Sequence, residues 1–314
     1  MSGSLLALAL GNSLLWSLYL LLTRHVVSGA RLDAWAYTLV QLLAAGLVML
    51  WLGRRVRGSW LDLLAPWTIG YAFLRVAING ATAAAIVWLA ITESTLLATV
   101  SVLIGALSGW WLTRQPPPRR DWPGLALLAA GIAAFALAIT PDAWRGLGWL
   151  VLSEAMAVSA SWMIAYHPRN RVGDLASRSR FTGEILVAAS LALIVVWSVL
   201  GLAGVLASPW AGAGDAFGRL ELWLWAILAG LLFRAPGTWL GFWTINRTGV
   251  QTYLIALTAM PFFAIALEAA AAHVGWVAPP SLSLVEWLAA GVILSASVWL
   301  IVVRMKAPPM AAAP

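Results

Sequence analysis

About ten apolar runs follow one another along this chain, each close to the length that crosses a bilayer, with short polar connections between them. A helix needs about 20 mostly apolar residues to traverse a hydrocarbon layer roughly 30 Å thick. The runs fall at roughly 4–22, 34–52, 63–90, 95–113, 122–140, 146–166, 181–205, 221–245, 250–273 and 284–303. In hydrocarbon each backbone N–H and C=O must find its partner inside the protein, so segments of this length are dictated to be helices. With 62% hydrophobic and 10% charged residues, the composition excludes an ordinary soluble domain. The expected fold class is an all-α integral membrane protein of ten transmembrane helices.

The runs also repeat. Residues 4–140 and 146–303 carry the same five-run pattern, with Ser13-Leu14-Leu15-Trp16 matched by Ser159-Ala160-Ser161-Trp162 and Leu128-Ala129-Ala130-Gly131 by Leu288-Ala289-Ala290-Gly291. The expected division is 1–142 and 143–314, hinged at the Pro-Asp turn between Thr140 and Gly146. An odd number of spans per half inverts the second half relative to the first, the arrangement that places a substrate site near the bilayer midplane in many secondary transporters.

Charge sets the expected orientation. On alternate connections, Arg54, Arg55, Arg57, Arg114, Arg119, Arg120, Arg169, Arg171, Arg178, Arg180, Arg247, Arg304 and Lys306 share the side of the N-terminus, whereas only Arg24, Arg31, Arg145 and Arg219 lie opposite. The positive-inside rule then puts both termini in the cytoplasm of a cell-membrane protein. These cations are read as topology determinants that meet anionic lipid head groups, not nucleic acid, because the basic loops are too short to form a reading module. The chain has 0 cysteines and 3 scattered histidines, so neither a disulfide framework nor a metal or other cofactor is expected. The first run lacks a basic leader and reads as a retained helix. Nothing in the sequence specifies an oligomeric state.

With Trp16, the turn sequences Ala90-Ile91-Thr92-Glu93-Ser94-Thr95 and Thr244-Ile245-Asn246-Arg247-Thr248-Gly249, Pro261, and the Ala-Ala-Gly closures of runs 5 and 10, the chain resembles the drug/metabolite transporter superfamily. The resemblance is to its EamA-like branch of ten-helix carriers and covers about residues 5–303. It implies a basket of helices around a central cavity and movement of small metabolites or amino acids, often outward.

Two arginines stand out. Arg75 and Arg234 each lie about twelve residues, or roughly 18 Å, into the third run of their half, too deep to snorkel easily. Thr68, Tyr71, Arg75, Asn79 and Thr82 recur at helical spacing and give run 3 one polar face. Run 8 carries the sparser stripe Gly230, Arg234, Thr238 and Gly241. The planar guanidinium fork suits a carboxylate or phosphate, and the competing reading is a structural ion pair with Glu154. Glu154, about nine residues into run 6, is a candidate proton carrier or the partner of a substrate ammonium. Trp16, Trp162, Asn12 and Tyr253 complete the candidate wall. Most other tryptophans, Trp51, Trp60 and Trp111 among them, read as the interfacial aromatic belt. Glu184 and Glu268, nearer run ends, read as solvated or loop-pairing groups.

The function expected is a secondary transporter that exports amino acids or related zwitterions by alternating access, with an exchanger of organic anions or phosphate esters as the alternative. Its partners would be an anionic or zwitterionic small molecule and membrane lipids, not nucleic acid. A membrane enzyme acting on a lipid phosphate would need clustered acids or an activated nucleophile, and the 12 acids are scattered.

Overall fold

The computed structural model describes residues 3–57, 64–167, 174–203, 216–280 and 282–306. Trp60, Arg169 and Arg171 lie outside these residues, as does most of the glycine-rich connection after run 7. Among the described residues the chain is helical, with no strand. The helices are α1 (Gly3–Arg24), α2 (Ala34–Leu52), α3 (Pro66–Trp88), α4 (Ile91–Ala98), α5 (Val100–Thr113), α6 (Trp122–Ala138) and α7 (Ala143–Tyr166). They continue as α8 (Leu175–Leu202), α9 (Leu220–Ala229), α10 (Ala235–Thr248), α11 (Val250–Leu257), α12 (Met260–His273) and α13 (Leu284–Lys306). A π-helical turn, Gly230–Arg234, joins α9 to α10. Eight helical stretches are long and apolar enough to cross a membrane, which makes this an all-α multi-pass membrane protein. Helix α6 is apolar but shorter, at 17 residues.

Local chemistry sets several boundaries away from the apolar edges of the sequence. Run 4 starts earlier than its hydropathy suggests, because the Glu93 carboxylate accepts the Ala90 backbone N–H at 2.6 Å and lets the helix begin at Ile91. Helix α8 starts at Leu175, ahead of the expected 181, because Asp174 caps it by accepting the N–H groups of Ala176 and Ser177. Those bonds also hold the Asp174 carboxyl below its usual range. Arg178 and Arg180 are thereby drawn from the expected loop into a helix. Pro66 opens α3 where the missing N–H costs nothing.

Packing joins the first five runs to the last five. Helix α2 lies along α8, α6 along α13, α4 against α12, and α5 against α11. Helix α3 packs on α7 as α1 packs on α10, and α1 meets α12 as α5 meets α7. The α2–α8 contact depends on small residues. A Cβ on Gly183 would stand 2.6 Å from the Leu50 backbone nitrogen, and one on Gly46 would stand 2.9 Å from the Leu186 Cβ. Between lipids, where helices gain little from hiding apolar surface, such close approach supplies the dispersion contacts that hold the pair. A buried ion pair, Arg304 to Asp121 at 2.5 Å, ties the end of α13 to the start of α6.

Candidate substrate cavity

A cavity of about 160 Å³ opens among α1, α3, α4, α5, α7, α11 and the π turn. Helix α3 supplies Arg75, Asn79 and Thr82 from its polar face, about 14 Å or more from the helix start at 1.5 Å per residue. Trp16, Glu154, Ser161, Arg234 and Tyr253 also line it. A smaller cavity of about 40 Å³ adjoins it and is lined by Tyr71, Gly237, Thr238 and Gly241. Trp16, Arg75, Ser161 and Tyr253 belong to both walls and form the neck between them.

Arg234 is 2% exposed, and its guanidinium lies over the Trp16 ring at 4.6 Å and the Tyr19 ring at 5.7 Å. These faces attract the cation but do not neutralise it. The π turn carries Arg234 to this position. It accommodates an extra residue, so Gly230 abuts α2, where an added Cβ would meet the Gln41 carbonyl oxygen at 2.6 Å, and does not continue the stripe expected on run 8. Arg75 reaches the Thr238 hydroxyl from Nη2 at 3.4 Å, and the Asn79 side-chain amide donates to the Arg75 carbonyl. The Nε atoms of both arginines are buried without a hydrogen-bond acceptor.

The alternative role for the arginines, an ion pair with Glu154, does not form: among the described residues neither guanidinium has a carboxylate within 4.0 Å. Asn12, fully buried, donates to the Tyr253 hydroxyl at 3.3 Å and so stands behind the wall. Trp162 is not part of either lining. Its indole N–H donates to Ser108 at 3.0 Å and its ring stacks on Tyr166, so the sequence match between Trp16 and Trp162 does not extend to their surroundings. Glu154 and Ser161 face the cavity, and Trp162, one residue and about 100° further round the helix, turns away from it.

Two acids expected to be solvated or loop-pairing are fully buried. Glu184 pairs with Arg180 at 2.7 Å, one turn away on α8. Glu268 on α12 accepts the backbone N–H groups of Ile91 at 3.0 Å and Thr92 at 2.8 Å, which are the unpaired donors at the start of α4. Arg24, at the end of α1, stands 4.0 Å from the same carboxylate and donates to the Leu89 carbonyl. Three separate pieces of chain are fastened at this end of the cavity. The corresponding start of α11 has no side-chain cap, with Gly249 at φ 79°.

Neither a protein-family model nor a curated protein matches this sequence. Among 28 matching chains of solved structures, one described only as the crystal structure of a protein is 18% identical, with a TM-score of 0.61. The match covers 98% of this chain and 100% of that one. It shows a shared fold.

Proposed function

We propose that this protein is a secondary transporter of the EamA-like, drug/metabolite transporter type, with ten spans in two inverted repeats, 1–142 and 143–314, that moves a small anionic or zwitterionic metabolite by alternating access. The observation that carries the reading is a pair of deep arginines, Arg75 and Arg234, lining one cavity with no carboxylate partner among the described residues. Charge buried in a membrane protein is costly and is retained where it faces a substrate or ion path. The helix packing favours the repeat: exchanging the first five runs for the last five maps the α2–α8 and α6–α13 pairs onto themselves and α3–α7 onto α1–α10. Within this class, export of amino acids or related zwitterions is the preferred activity, since Glu154 supplies an acceptor for an ammonium in the same cavity. The distribution of Arg and Lys supports cytoplasmic termini in a cell membrane. Arg24, Glu268 and the start of α4 then close the outer end.

The test separates charge from folding. In Arg75→Lys and Arg234→Lys the cation stays but the bidentate fork is lost. Substrate affinity in proteoliposomes is expected to fall roughly ten- to a hundredfold, for a loss of about 1.5 to 3 kcal/mol per charged hydrogen bond, with monodispersity unchanged. Normal saturable flux in both variants would remove the arginines from the site.

A further inference from the structure

The charges on the cavity wall can be counted. Arg75, Arg234 and Glu154 line it, and its other lining residues carry no full charge. None of the three has an ion pair among the described residues, so the positive and negative poles stand apart within one space. The arginines are also held independently, one against Trp16 and the other against Thr238, and each retains a buried Nε donor without an acceptor. They therefore offer two guanidinium edges. A neutral zwitterion has a single carboxylate to offer, and it would leave one cation on the wall without a counter-charge.

The opposite pole is rich in acceptors. The Ser101 hydroxyl lies within hydrogen-bonding reach of both the Ala98 carbonyl and the Glu154 carboxylate, and Thr99 donates to the Leu96 carbonyl. With the Ser101 proton shared between two acceptors and the Thr99 proton committed to its own helix, this pole presents a carboxylate and hydroxyl lone pairs. An ammonium satisfies such a surface; a second acid does not.

We infer that the substrate carries two acid groups and one ammonium: an acidic amino acid, at net charge −1, or a phosphorylated amino alcohol acid, at about −1.5 to −2 near pH 7, not a neutral amino acid and not a simple dicarboxylate. The acids meet Arg75 and Arg234, and the ammonium meets Glu154. With Glu154 ionised against the ammonium, two cations and one carboxylate on the wall balance two carboxylates and one ammonium on the ligand. This deepens the carrier reading and rests on it.

The test uses the detergent-purified full chain and four probes at matched concentration: L-alanine, L-glutamate, O-phosphoserine and succinate. A ligand that binds the folded state raises its melting temperature. Glutamate or phosphoserine is expected to bind at least about tenfold more tightly than alanine or succinate, since each of the latter leaves a charged contact unmade. The stronger of the two acidic probes identifies the second acid as carboxylate or phosphate. In Glu154→Gln the affinity for the acidic zwitterion falls about tenfold while that for succinate holds or rises. The wild-type ranking stands alone should that variant fold poorly. Alanine binding as tightly as both acidic probes overturns the charge assignment, and saturable counter-exchange of alanine would leave the carrier reading intact. Absence of saturable flux for all four sinks both.

Discussion

Replacing Glu268 with glutamine changes only one oxygen atom, yet it should alter which face of the cavity is open. The carboxylate holds Ile91 N–H with one oxygen and Thr92 N–H with the other, and the first oxygen also faces Arg24. An amide retains a single acceptor. Its NH2 group would oppose one of the two backbone donors, so one charge-assisted bond is lost. At about 1.5 to 3 kcal/mol for such a bond, the closed state loses roughly ten- to 150-fold in population relative to a state in which α12 has parted from α4. Ser94, 1% exposed and on the cavity wall just inside this contact, is a suitable reporter. Because the chain has 0 cysteines, Ser94→Cys gives a single thiol. The rate of its modification by a membrane-impermeant reagent added outside intact cells should rise at least about tenfold in the Glu268→Gln background. Ser297→Cys, buried on α13, serves as the control for general loosening. An unchanged rate at Ser94, or an equal rise at both positions, would refute the argument.

Glu154→Gln is expected to abolish proton-gradient-driven accumulation and to preserve counter-exchange; an unaltered pH dependence of transport would remove Glu154 from coupling. Cysteines at the exposed positions Gln115 and Asp142 test orientation: the first should resist an impermeant thiol reagent in intact cells and the second should react. Gly183→Leu should sharply reduce the yield of folded, monodisperse protein, since even a Cβ there comes within 2.6 Å of the Leu50 nitrogen, and overpacking of a close contact costs about 1 to 3 kcal/mol or more. Size-exclusion profiles check this directly, and a normal profile would mean that α2 and α8 can separate without penalty.

Period and hydropathy made the bundle and part of the cavity legible. The spacing of Tyr71, Arg75, Asn79 and Thr82 places them on one face of α3, and that face does line the two adjoining cavities. What escaped the sequence has physical causes. Glu268 acts on backbone N–H groups 176 and 177 residues away, and a backbone donor has no residue type by which to recognise it. The π turn shifts the register of everything after it, so a stripe drawn at 3.6-residue spacing through Gly230 and Arg234 joins residues with different neighbours. Trp162 shows the limit of internal repetition: it occupies the position that matches Trp16, but Ser108 and Tyr166 take up its indole. A repeated residue fixes a place in the helix order and leaves its contacts to the surrounding side chains.

The π turn beside Arg234 has a mechanical consequence. Gly230 is pressed against the Gln41 carbonyl, so the helix above the turn is pinned to α2, and Pro236 just below leaves the ladder one donor short. Such a turn stores one surplus residue. Should it revert to ordinary α geometry, the helix below would turn by about 100° relative to the pinned half. Arg234 sits at that swivel, so a single local rewinding could carry its guanidinium from one side of the cavity to the other while the upper half of the helix stays pinned.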